Sequence, residues 1–352
     1  IKWHFSWRFA GHSCSTLILY PVMLKNYLRT AWKNLRSNKT YVAINTIGLA
    51  VGIAACLLIF LLIQYETSFD NFHKNKERIY RVVSVTKTPE GINYSKASAF
   101  PVADALRLDY PQLEHVARIY ARENKQITIP GEPQKKFKEN VFFAEPEFFG
   151  IFNFPFLAGD PKTALSEPNT AVLTQDAANK YFGDWHTAVG KFITHDNGQV
   201  CRITGILENT PVNTDFPLQV VFSFKTSAQE DILTDWAGLD GSLNTFVVLP
   251  GNMAAQQFNE DLKTFVKIHT PTEYANQGYI LQPLSNIHYE SRFGTYGRST
   301  FSKQLITALT LIGLFLLIIA CINFINLATA QSAGRSKEVG IRKVLGSSKA
   351  QL

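Results

Sequence analysis

Cysteine is scarce in this chain, with four in 352 residues: Cys14, Cys56, Cys201 and Cys321. Cys56 and Cys321 sit inside long apolar runs, so the set fits neither a disulfide framework nor a zinc site. Signatures of nucleotide and hydrolase chemistry are missing as well. The nearest approach to a phosphate-binding loop, Gly183 to Phe192, has Trp185 in place of its leading glycine and Phe192 in place of the magnesium-holding Ser or Thr. No G-x-S-x-G or H-E-x-x-H pattern occurs. His186 and the pair His195-Asp196 do not bring three ligands onto one element, which favours solvated loop histidines. Glu145 and Glu147 flank Pro146 at an expected helix start, where acids complement the helix dipole and need not form a catalytic pair. No catalytic, cofactor-binding or metal site is expected.

Charge is missing from two stretches, of 26 residues between Lys39 and Glu66 and of 31 between Lys303 and Arg335. Each, if helical, exceeds the roughly 20 residues that cross a bilayer core of about 30 Å. Overall averages of 46% hydrophobic and 18% charged residues conceal both runs, which read as two membrane spans.

Acids are missing too, from residues 1 to 39, which carry seven bases; residues 335 to 352 carry five bases against Glu338 alone. The net charge of +7 therefore divides into +11 beside the spans and −4 in the segment between them. That distribution rules down nucleic-acid binding and fits the positive-inside rule, with both ends cytoplasmic and the middle exported. The exported segment is large enough to hold a core without disulfides.

Residues 1–22 are read as an upstream extension, because Met23 opens a patterned segment at once. Leu24, Tyr27, Leu28, Ala31, Trp32 and Leu35 follow helical spacing, and Lys25, Arg29, Lys33 and Arg36 project elsewhere. Residues 23–40 thus predict an amphipathic helix on the cytoplasmic membrane surface. In the first span, residues 41–65, Asn45, Gly48, Gly52 and Ala55 share a stripe on which another helix can approach closely. In the second, residues 304–330, Asn323 and Asn326 suggest helix glue, since amides at that depth face protein.

Between the spans, a helix is expected to rise off the membrane around His73 to Arg78. Strand-like runs follow at 79–87, 116–122, 137–143, 170–173, 191–195, 200–207, 218–224 and 245–249. Helical runs are read at 98–108, 174–182 and 254–268, giving an α+β domain. Asp196-Asn197-Gly198 has the residues of a tight hairpin turn. The aromatic run from Phe148 to Phe156 is read as core, with a ligand groove or docking face as the sharper alternative.

After the second span come Val339, Ile341, Val344 and Leu345 among bases, with Gly346 as a helix stop. A positive flank needs only charge, so the apolar set suggests docking onto another protein. Here CINFINLATAQSAGRSKEVGIRKVLGSSKAQL resembles the second span and following cytoplasmic helix of FtsX/MacB-type permeases of ABC transporters, whose signature is close to E-(I/V)-G-I-R-K-x-x-G. MLKNYLRTAWKNLRSNKTYVAINTIGLAVGIA is similar to their amphipathic leading helix and first span. FFGIFNFPFLAGDPKTAL and EPNTAVLTQDAANKYFGD resemble stretches of the MacB-like periplasmic domain, particularly in large permeases of Bacteroidetes.

The resemblance implies a membrane protein with α-helical spans and a large α+β periplasmic domain over 66–303, in the bacterial inner membrane. It also implies a multi-pass whole, with the chain truncated early in its FtsX-like permease part, at 331–352. An ABC ATPase on a separate chain would hydrolyse ATP, and this chain would bind no cofactor. The coupling helix maps onto Glu338, Val339, Gly340, Ile341, Arg342, Lys343, Val344, Leu345 and Gly346. Implied partners are that ATPase, a second permease copy or duplicated half, a periplasmic adaptor or outer-membrane component, and the lipid bilayer. Two other readings compete: a two-span receptor with an exported sensor, and an FtsX-like regulator of cell-wall hydrolases.

Overall fold

The computed structural model describes residues 39–346 apart from 197, 228–232, 237–240 and 297–299. The extension 1–22 and nearly all of the expected amphipathic helix 23–40 lie outside the described residues. In chain order the helices are α1 (Lys39–Glu66), α2 (Val102–Asp109), α3 (Phe148–Ile151), α4 (Gln175–Phe182), α5 (Phe224–Ser227), α6 (Ala255–His269), α7 (Leu284–Ile287) and α8 (Lys303–Val344). The strands are β1 (Ile79–Thr88), β2 (Gly91–Ser95), β3 (His115–Ile129), β4 (Glu132–Ala144), β5 (Phe156–Ala158), β6 (Thr170–Thr174), β7 (Phe192–His195), β8 (Gln199–Leu207), β9 (Val220–Ser223), β10 (Leu243–Val248) and β11 (Gln277–Pro283). Contacts divide the chain into a unit of the two long helices and a second unit, Ile63–Thr307.

In the first unit, Ala43–Glu66 and Lys303–Thr329 are long and apolar enough to cross a membrane. Their large apolar side chains, among them Ile47, Val51, Leu58, Phe315 and Ile325, are exposed all round, as lipid-facing helices require. Helix α8 does not stop at the end of the apolar run. It continues unbroken to Val344, so the second span and the following basic segment, expected as separate elements, form one rod. No proline interrupts it, and isolated Gly334 and Gly340 are tolerated within a helix at modest cost.

The second unit is built on a mixed sheet ordered β11-β1-β10-β3-β4-β9-β6-β8-β5, with β2 on β1. Strand β7 pairs with both β3 and β8. The circuit β3-β4-β9-β6-β8-β7 therefore closes on itself as a small barrel beside the open half of the sheet. Ile127, Val141, Phe143, Leu173, Ile193, Ile203 and Phe222 belong to the cluster that fills it.

A bulge between Arg122 and Lys125 lets one long strand serve both halves. Before it, Ala117 and Ile119 belong to one core cluster; after it, Ile127 and Ile129 belong to the barrel cluster, as does Tyr120 on the opposite parity. One extra residue flips the face that odd positions present. Asn124 takes φ +56° there, and its N–H donates to Asn140 Oδ1 at 3.1 Å.

On the open half, α6 buries Phe258, Leu262 and Phe265, spaced i, i+4, i+7, against Leu281 of β11, Val247 of β10 and Leu106 of α2. The aromatic run at 148–156 is core in its first half. Phe148 and Phe152 are fully buried in a cluster with Phe216 and Phe246. The expected helix over 73–78 is not formed: turns occupy that stretch, and Asp70 turns the chain with φ +52°. The expected hairpin joins β7 to β8, with His195 opposite Gln199 across residues 196–198.

Candidate functional site

In the membrane unit, Asn323 Nδ2 donates to the Asn45 carbonyl at 3.1 Å. A Cβ added at Gly48 would lie 3.4 Å from that Asn323 amide, and one at Gly52 would lie 3.4 Å from Ala320 Cβ. The absence of side chains at Gly48 and Gly52 thus sets how near α8 lies to α1. Gly313 of α8 meets Ile59 in the same way, and the Cys56 thiol donates to the Gly313 carbonyl. Ala55 is half-buried, whereas Asn326, read from the sequence as its neighbour's partner in helix packing, is exposed.

At the far end of α8, Val339, Ile341, Val344 and Leu345 are exposed, Val344 to 88%. Ile341, Val344 and Leu345 are spaced i, i+3, i+4 and so share a face. Helical bonding ends with the Leu345 N–H on Ile341 O and the Gly346 N–H on Lys343 O. Gly346 has φ +90°, a conformation in which a Cβ would be strained, which is why the stop is a glycine. Gly340 and Lys343 are exposed; the side chains of Glu338 and Arg342 lie outside the described residues.

The second unit contains a polar joint that sequence reasoning missed. Glu66, the last residue of α1, places Oε2 2.7 Å from His288 Nε2. His288 Nδ1 lies 3.3 Å from Asp215 Oδ1, and the ring stacks on Phe69 with centroids 3.6 Å apart. Burial alone would lower the His288 pKa, but the Asp215 and Glu66 carboxylates outweigh it and raise it. The Asp215 N–H donates to Asp70 Oδ2 at 3.1 Å, and the Thr214 hydroxyl donates to Asp70 Oδ1. Burial pushes the Asp70 carboxyl up to about 7, against the pull of Thr214.

His73 closes the cluster, with Nε2 3.8 Å from Asp70 Oδ1 and Nδ1 accepting from the Asn153 N–H at 3.1 Å. Burial pushes it down to about 3, so it is neutral. Further hydrogen bonds, most of them from side chains, tie the same region to the end of α1 and the start of α8. The Tyr289 hydroxyl donates to the Glu66 carbonyl at 2.9 Å, and the Tyr65 hydroxyl to Val212 O at 3.1 Å. The Phe301 N–H donates to His288 O at 3.0 Å, and Lys303 Nζ to Asn286 Oδ1 at 2.7 Å. His288 thus joins the outgoing end of α1, the 214–215 loop and the residues that lead into α8. The imidazole holds the first two of these segments and the His288 carbonyl holds the third.

Other residues singled out by sequence are structural. Glu145 accepts from the Arg118 backbone N–H at 2.8 Å, from its Nε at 3.0 Å and from Arg107 Nη2. Burial would raise the Glu145 pKa; Arg118 and Arg107 outweigh it and lower it. Glu147 caps α3 without a side-chain hydrogen bond. His195, expected as a solvated loop histidine, instead ends β7 with its ring nearly buried against Phe143 and Phe222, while His186 is exposed beside Asp184. Gly190, with φ +88°, turns the chain into β7. Among the described residues, no group of three or more His, Cys, Asp or Glu is arranged to hold a metal ion, the cluster around His288 included.

A family model described as the MacB-like periplasmic core domain matches residues 42–265. A permease-protein domain from Porphyromonas gingivalis is similar in structure, with TM-score 0.53 and 20% identity over 60% of this chain and 91% of that one. The periplasmic region of MacB from Actinobacillus actinomycetemcomitans gives TM-score 0.41 and 12% identity, over 58% of this chain and 89% of that one. The extracellular domain of the ABC-type transporter YknZ from Gram-positive bacteria gives 0.39 and 12%, over 58% and 99%. No curated protein matches. Two apolar helices flanking an α+β domain of this kind define a membrane protein with a large periplasmic domain. The chain belongs to the MacB-like periplasmic core domain family.

Proposed function

We propose that the chain is the permease subunit of a mechanotransmission-type ABC transporter in the bacterial inner membrane. ATP is hydrolysed on a partner ATPase, and the motion is delivered to the periplasmic domain, where substrate is moved outside the membrane. The chain itself is non-catalytic and binds no cofactor. A second permease copy or duplicated half completes the multi-pass assembly, and a periplasmic adaptor or outer-membrane component receives the substrate.

The observation that carries this reading is the end of α8. Ile341, Val344 and Leu345 stand exposed on one face of a helix continuous with the second span. A helix of 42 residues is about 63 Å long at 1.5 Å per residue, and displacement of its docked end reaches the other without a hinge. Apolar side chains on a basic flank gain little from water or headgroups, but would be desolvated in a groove of an ATPase. Truncating such anchors costs more than about 1 kcal/mol each.

The test is recovery of the ATPase with the full-length permease. Ile341→Asp and Leu345→Asp should lose the ATPase while still inserting in the membrane, and Lys349→Ala should retain it. Undiminished recovery with both Asp variants would refute docking through this helix.

A further inference from the structure

The second half of the aromatic run lines an open groove with a volume of about 620 Å³. Phe72, Phe149, Phe154 and Phe156 supply rings, Pro211 lies at its lip and Lys74 stands at its rim. Phe149 meets Phe156 edge to face at 4.9 Å, and Phe72 meets Phe154 at 5.8 Å, so the walls hold one another in place. Phe148 and Phe152 lie wholly in the core; Phe149 and Phe154 belong to it as well and form the floor of the groove, while Phe72 and Phe156 are only partly buried.

Position says what the groove meets. Phe72 follows the end of the first span by six residues. Pro211 adjoins Val212, whose carbonyl takes the hydroxyl of Tyr65 in the last turn of that span. Asn213 is tied to the same turn, its Nδ2 donating to Ser68 O at 3.2 Å and Ser68 Oγ at 2.8 Å. Val212 is 71% exposed and Tyr65 38%, an apolar and an amphipathic side chain that belong at the depth of lipid headgroups. The chain beside Pro211 is therefore tied directly to the residues at which α1 ends.

We infer that this groove takes an acyl chain of a membrane lipid. Lipid is the apolar molecule present in quantity where a membrane span ends, and rings and prolines suit a flexible methylene chain that makes no hydrogen bonds. Lys74 and Glu208 both line the groove, so charge there does not select a head group. The inference rests on the membrane spans and the periplasmic domain alone, and stands whether or not an ATPase docks on α8.

The test is photolabelling of the full chain in lipid nanodiscs, with a phosphatidylethanolamine carrying a diazirine at the end of one acyl chain, followed by peptide mapping. The chain probe should label the peptides containing Phe149 to Phe156 and Pro211, besides α1 and α8. Pro211→Glu, at an exposed position, and Phe156→Asp should each reduce groove labelling at least fivefold and leave labelling of the spans unchanged. Excess unlabelled lipid should compete it away. Labelling confined to the spans would overturn the inference. So would groove labelling that Pro211→Glu leaves intact, or that an aromatic, proline-rich peptide displaces and lipid does not.

Discussion

His288 and Glu66 are 222 positions apart in sequence, yet His288 Nε2 lies 2.7 Å from the Glu66 carboxylate. The contact attaches the end of the first span to the segment that leads into the second. Glu66 ends a 26-residue uncharged run, so its carboxylate is the first charge that α1 presents outside the membrane. Both side chains are nearly buried, at 6% and 12% exposed. Removing one partner leaves the other group desolvated and unpaired, and such deletions cost about 3 kcal/mol. His288→Leu should lower the unfolding free energy of the full chain by about that much in detergent, while Glu66→Gln, which keeps a hydrogen bond to the imidazole, should cost about 1 kcal/mol. Equal stability of His288→Leu and wild type would show that the joint carries no stability.

Asp70 gives the joint a pH dependence of definite sign. Its carboxyl is raised from 3.8 to about 7 by burial, so the folded protein holds this proton more tightly than the unfolded chain. The stability it contributes is complete below pH 3.8 and is lost as pH rises through about 7. The raised pKa of His288 works in the same direction. Asp70→Asn keeps the shape, tolerates the positive φ and cannot ionise. It should therefore be more stable than wild type at pH 8, by up to about 4 kcal/mol, and nearly equal to it at pH 4. Denaturant melts at the two pH values check this; a gap that widens towards pH 4 would contradict it.

Glu145 makes the opposite case. Its lowered pKa means that its contribution is present above the ordinary carboxylate pKa and lost as pH falls through the folded value. Glu145→Ala leaves the nearly buried Arg118 without its main acceptor and should cost about 3–5 kcal/mol. Glu147→Ala, with no side-chain cap bond, should change stability by less than about 0.5 kcal/mol. Unfolding curves of the two variants decide it.

The helix contact predicts a smaller effect in lipid. Asn323→Leu removes the bond to the Asn45 carbonyl and should weaken the association of α1 with α8 by about 0.6–1.7 kcal/mol. Gly52→Ile adds volume where Ala320 Cβ already lies 3.4 Å from the position of a Cβ, and should weaken it further. A disulfide introduced across the pair would form more slowly in both variants than in wild type.

Much of the scaffold was legible because its strands alternate apolar and polar residues or run apolar throughout, as from Ile79 to Val85 and Val200 to Leu207. The ends of β3 and β4 were less so: Glu123 to Lys125 and Lys135 to Lys138 are charged, and the pairing is carried by a bulge that no periodicity announces. Strand β11 holds Gln282 and Pro283, and β5 is three residues long, so neither presents a pattern. The joint was illegible for another reason. Glu66, Asp70, Asp215 and His288 come from distant segments, and only the closing of the sheet brings them together. The face of α8 proposed to dock lies within one helix, so the spacing of Ile341, Val344 and Leu345 was readable in the sequence.

Hydrogen exchange on the reconstituted permease with its ATPase tests the central claim most directly, that ATP hydrolysis on the cytoplasmic side moves the periplasmic domain. ATP should change the exchange of segments 68–73, 212–216 and 284–289, and Ile341→Asp should abolish that change while leaving exchange without ATP as in wild type. Identical exchange of these segments with and without ATP would contradict the account.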